Sequence, residues 1–73
     1  MIDNTPDIIA ALDSNGSVIV WSAGLVITKA APDVYDVLEM GVIYPQSMPY
    51  SRSELAQYLS ECDTSAWDSG LPL

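Results

Sequence analysis

A chain with no histidine lacks the commonest general base and the commonest metal ligand. Any chemistry must then come from Cys62, the serines or the carboxylates. A nucleophile needs a neighbouring base and an orienting partner. Cys62 lies on the apolar stripe Leu55, Tyr58, Leu59 and Cys62 of an expected helix, which makes it a packing thiol. No serine has an evident activating base. Paired carboxylates can hydrolyse glycosides, but only inside a cleft that a 73-residue chain rarely builds. Asp13-Ser14-Asn15-Gly16 starts like a calcium loop, yet its glycine comes early and no bidentate glutamate follows in register. It reads as a turn. Asp33, Asp36 and Glu39 could hold a divalent ion only weakly and read as a solvated helix face. The expectation is a protein that is not an enzyme, with no catalytic residue, metal or cofactor.

What remains is charge. Ten acids face two bases, Lys29 and Arg52, for a formal charge of −8. A basic groove for nucleic acid is excluded, because phosphate affinity comes from lysine and arginine releasing counterions. An anionic lipid surface would also repel the chain. Asp7, Asp33 and Glu54 fall at expected helix starts, where the dipole favours an acid by ~0.3–1 kcal/mol. Glu39, Glu61 and Asp63 fall at expected helix ends, where the dipole opposes them. Asp33–Asp36 and Asp36–Glu39 would be like-charge pairs three apart on a helix, costing ~0.2–0.5 kcal/mol each. Solubility alone accommodates such penalties. A basic partner explains them and also explains why cations are scarce.

The elements that must position these residues read as α+β: a small antiparallel sheet with two helices. Residues 17–28 form a hairpin, with two β-branched runs separated by Ser22-Ala23-Gly24. Residues 8–12 are either a third strand, favoured by the Asn15-Gly16 turn, or a short helix, favoured by Thr5-Pro6-Asp7. The balance tilts to the strand. Pro32 and Gly41 bracket a first helix over about 32–40, with Val34, Val37 and Leu38 on one face. Val42-Ile43-Tyr44 could add a short strand, and Pro45 and Pro49 hold the following segment extended. Ser51-Arg52-Ser53-Glu54 spells a capping box opening a second helix over about 52–62, with Tyr50 and Leu55 at the staple positions. Residues 1–62 make one compact domain, and 63–73 a partly disordered tail anchored by Trp67.

The hairpin is apolar on both faces, and two helices cover only one. The N-terminal segment with Trp67, or a partner, must cover the other. Trp21, Tyr44, Met48 and Tyr50 are therefore candidate contacts beside the acids, since aromatic and methionine side chains are over-used at binding surfaces.

With one cysteine, no intrachain disulfide can form. Met1-Ile2-Asp3-Asn4 lacks the basic start and apolar run of an export signal. The uncharged stretch Ser14–Thr28 is too short and too polar to span a bilayer. A cytoplasmic protein, monomeric or weakly dimeric, is expected. A short, acidic, histidine-free chain with Asp33, Asp36, Glu39, Glu61 and Asp63 unbalanced by bases is similar to small phage-encoded host-takeover proteins, most of all those that bind bacterial RNA polymerase. The resemblance lies in size and charge and transfers no residue role. It implies a non-enzymatic transcription inhibitor or antiterminator acting in the host cytoplasm. Asp33, Asp36, Glu39, Glu61, Asp63, Trp21, Tyr44 and Tyr50 are the residues expected to meet a basic polymerase segment. The alternative is a nucleic-acid mimic that blocks a restriction, repair or CRISPR complex.

Overall fold

A computed structural model describes residues 4–44, 46–65 and 67–69. Among these residues the fold is α+β, with two α-helices against one five-stranded antiparallel sheet. In chain order the elements are α1 (Thr5–Asn15), β1 (Ser17–Val20), β2 (Leu25–Ala31), β3 (Val34–Glu39), β4 (Ser47–Tyr50), α2 (Arg52–Ser60) and β5 (Trp67–Ser69). The sheet order is β4-β3-β2-β1-β5, so α2 carries the chain from one edge of the sheet to the other.

The expected hairpin is present. Ser17 pairs with Thr28 and Val20 with Leu25 across a 3₁₀ turn, Trp21–Ala23. Gly24 closes the turn at φ 65°, a left-handed conformation that favours glycine. The expected strand over 8–12 is instead part of α1. Thr5, Ile8, Ile9 and Leu12 recur at helical spacing and are all buried. Gly16, at φ 85°, donates its N–H to the Leu12 carbonyl at 2.9 Å. The Asn15-Gly16 signal is thus a helix C-cap, since the same left-handed glycine serves either purpose.

The expected helix over 32–40 is strand β3. Pro32 and Asp33 form the tight turn between β2 and β3, and Ala31 pairs with Val34 across it. From there Tyr35 and Val37 are buried at alternate positions, the period of a strand. β-Branched and aromatic side chains favour that pleated surface. Val42-Ile43-Tyr44 is not a strand but an exposed connection. The strand starts later, at Ser47, and carries Pro49 on the outer edge, where a missing N–H does no harm.

Helix α2 has the expected cap. Ser51 Oγ accepts from the Glu54 N–H at 3.3 Å, and the Ser51 N–H donates to Glu54 Oε1 at 3.0 Å. Within residues 63–73, expected as a partly disordered tail, Trp67–Ser69 is strand β5, with Trp67 opposite Val20. Residues 70–73 lie outside the described residues.

The two faces of the sheet separate by register. Val18, Val20, Leu25, Ile27, Tyr35 and Val37 share one face and pack with Ile8, Ile9, Leu12, Leu55 and Leu59 of the helices. Ile19, Val26 and Leu38 form one cross-strand row on the opposite face. Trp67 packs against the helix-side core, not over that row.

Candidate acidic interface

Strand direction gives the molecule two chemically different ends. β1 and β3 both run away from the end that holds Gly16 and the Pro32-Asp33 turn. They run toward the end that holds Trp21–Gly24 and the β3–β4 connection. α2 runs the same way, from Arg52 beside Asp13 to Tyr58 beside Glu39. Strand β3 separates the two ends by roughly 17 Å at ~3.4 Å per residue.

Both cations of the chain sit at the first end and share one acid. Lys29 Nζ is 3.0 Å from Asp13 Oδ1, and the Arg52 guanidinium pairs with Asp13 Oδ2. The hydroxyl of buried Tyr35 donates to Asp13 Oδ1 at 2.9 Å. The Lys29 ammonium, then Arg52 and Tyr35, hold the Asp13 carboxyl at about 2. Asp33 belongs here as well: its Oδ1 accepts the Arg52 N–H at 3.0 Å, at the start of α2. It caps a helix, though not the helix expected to follow it.

Glu39, Glu61 and Asp63 lie at the second end, with no cation among the described residues near them. Glu39 closes β3 and accepts the Tyr58 hydroxyl at 3.0 Å. Burial, then the Glu39 carboxylate, pushes the Tyr58 phenol up to about 12. Glu61 is the C-cap of α2. Asp63 accepts the Ser65 N–H at 3.0 Å; the Ser65 hydroxyl and then this N–H lower its carboxyl, and its carbonyl takes the Ser22 hydroxyl at 2.6 Å. That last bond ties the acid to the Trp21 turn. Asp7, on the first turn of α1, lies at this end too: Asn4 just before it bonds Thr64 through both its N–H and its side chain.

Hydrophobic side chains crowd the same end. Ile43 is 88% exposed, Tyr44 86%, Trp21 54%, Val42 46% and Met40 40%. The two loops that carry them are joined, because the Met40 N–H donates to the Gly24 carbonyl at 2.7 Å. Grooves run alongside. One of about 280 Å³ is lined by Val37, Glu39, Gln46, Met48, Tyr50 and Tyr58. Another of about 580 Å³ is lined by Ser60, Glu61, Cys62 and Asp63.

Comparison with protein-family models, curated proteins and solved structures finds no match. Geometry alone therefore characterises the site.

Of the eight residues expected to meet a partner, the structure gathers Trp21, Glu39, Tyr44, Glu61 and Asp63 at one end. Asp33 is at the other. Asp36 is half-buried on the sheet face away from the helix-side core, opposite Thr28 and Pro49. Tyr50 packs its ring on Tyr58, with centroids 5.1 Å apart. The acidic helix row Asp33–Asp36–Glu39 does not exist, because a strand sends Asp36 and Glu39 to opposite faces. Among the described residues, no group of three His, Cys, Asp or Glu could hold a metal ion. Cys62 is half-buried against the core, its thiol pushed up by burial and then by Glu61 and Glu39. Ile43, Val42 and Met40 are exposed apolar residues of this end that sequence reasoning did not single out as candidates. The run Met40–Tyr44, apolar but for one glycine and followed by a proline, was the signal available. Among the described residues, no helix is long and apolar enough to cross a membrane.

Proposed function

We propose that this chain is a non-enzymatic acidic binding protein that docks its Glu39–Glu61–Asp63 end on a basic segment of a larger protein. The observation that carries this reading is the placement of charge. Both cations are held by Asp13 at the far end, about two Debye lengths away at physiological salt, where that length is ~8 Å. They cannot neutralise the acids at the binding end. A cationic partner therefore meets uncompensated carboxylates, which speeds encounter and rejects acidic competitors. By its resemblance to phage host-takeover proteins, the partner is a bacterial RNA polymerase subunit, and the outcome is inhibited or redirected transcription.

The test is binding to purified RNA polymerase core enzyme across a salt series. Wild type should bind, more weakly as salt rises. Changing Glu39, Glu61 and Asp63 together to lysine should lower affinity at least tenfold, with an unchanged far-ultraviolet circular-dichroism spectrum as proof of folding. No binding at low salt, or equal binding by the variant, removes the reading.

A further inference from the structure

The acids account for attraction to a basic partner, but not for the apolar side chains set among them. Ile43 and Tyr44 are almost fully exposed on a connection that a polar sequence could make equally well. The Met40 N–H to Gly24 carbonyl bond joins the start of this connection to the turn that carries Trp21. A β-carbon added at Gly24 would already touch the Met40 carbonyl oxygen at 3.5 Å. The loops are therefore closely apposed at Gly24 and Met40, and both carry exposed apolar side chains at this end. Glu39 leads directly into the second of these loops, and the bond from Ser22 to the Asp63 carbonyl brings the acidic turn after α2 beside the first.

Resting on the function proposed above, we infer that this end receives a basic amphipathic segment of the partner protein. The apolar side of the segment covers Trp21, Val42, Ile43 and Tyr44, and its flanking lysines and arginines reach Glu39, Glu61 and Asp63. Both halves of the site are then used. A second copy of the chain would bring one acidic rim against another at a net charge of −8 each. An anionic lipid surface would meet the same repulsion. Only a partner both apolar and cationic suits the two components together. Aromatic side chains suit such a contact because they offer large area with few rotors to immobilise.

The test uses two synthetic peptides of equal length and charge, one a lysine–leucine amphipathic helix and the other with serine in place of leucine. Binding is followed by amide and indole NMR shifts on the intact protein. The lysine–leucine peptide should bind at least tenfold more tightly, with its largest shifts at Trp21 and residues 40–44, and should persist at salt that releases the serine peptide. The double variant Ile43→Ser and Tyr44→Ser, checked for an unchanged fold by its remaining amide shifts, should erase the difference. Equal binding of both peptides would leave the charge reading standing and overturn this one. Binding of neither would overturn both. Stronger shifts at Trp21 and 40–44 with neutral phosphatidylcholine vesicles than with either peptide, or tip contacts that grow with protein concentration alone, would assign these residues to lipid or to self-association and overturn the inference.

Discussion

The two ends of the sheet use their polar groups in opposite ways. At the Asp13 end, one carboxylate satisfies Lys29, Arg52 and Tyr35, while Asp33 and Ser51 cap α2. α1, β2, β3 and α2 all contribute to that cluster, so its polar groups hold the fold together. At the Glu39 end, acids meet hydroxyls and backbone N–H groups but no cation among the described residues, and the large apolar side chains face water. A net charge of −8 is therefore not spread evenly. Lys29 and Arg52 are placed where they join elements, which leaves the other end with acids and no cation among the described residues.

This contrast can be broken most directly at Asp13. Replacing it with alanine strands two cations and the Tyr35 hydroxyl. The melting temperature should fall further than after loss of the Ser51 cap or of any single side chain at the Glu39 end. The carboxyl is held at about 2 when folded, against an ordinary value of 3.8. Its stabilisation is therefore complete above about pH 4 and drains away as pH falls toward 2. Wild type should lose melting temperature through that window by calorimetry, and Asp13→Ala should lose less. Ser51→Ala removes half of the capping box and should cost about 1 kcal/mol by urea unfolding.

Changes at the opposite end should be smaller. Glu39→Gln removes the negative charge beside Tyr58, so its phenol should titrate below about 12 by absorbance at alkaline pH, with little change in stability near neutrality. For wild type the raised phenol pKa works in the other direction from Asp13: its contribution is full below the unfolded value of 10.0 and is lost as pH rises toward 12. Ile43→Ser should alter unfolding free energy by no more than about 0.5 kcal/mol, as expected for a surface position that packs against little. A large loss there would show that the apolar end also holds the fold, and the contrast would collapse.

How much of the molecule is legible in its sequence follows from the range of each signal. The hairpin and the capping box depend on residues within a few positions of one another, and both appear as read. Two elements differ from expectation because their signals are double-valued. Gly16 can end a helix or turn a strand, and only the buried set Thr5, Ile8, Ile9 and Leu12 decides. Pro32 and Gly41 bracket a helix or a strand equally well, and the apolar residues between them fit either period. Strand β5 has three residues and a single large apolar side chain, too little to announce itself. Five residues of the candidate site, Trp21, Glu39, Tyr44, Glu61 and Asp63, are legible by type in the sequence, but their meeting at one end is not. Bringing Trp21 to Met40 and Asp63 depends on the directions of four strands and a crossing helix, which no local spacing encodes.

The sheet order has one more implication, for the sequence of events in folding. β1 sits inside the finished sheet, yet one of its two neighbours is built from Trp67–Ser69, far downstream. Until that short segment docks, Val18, Ile19 and Val20 present unpaired backbone groups along an apolar strand, open to the wrong neighbour. Closure of the sheet therefore waits on synthesis of the last few pairing residues, and a chain interrupted just before Trp67 would be left with a sticky margin in the middle of its most hydrophobic region.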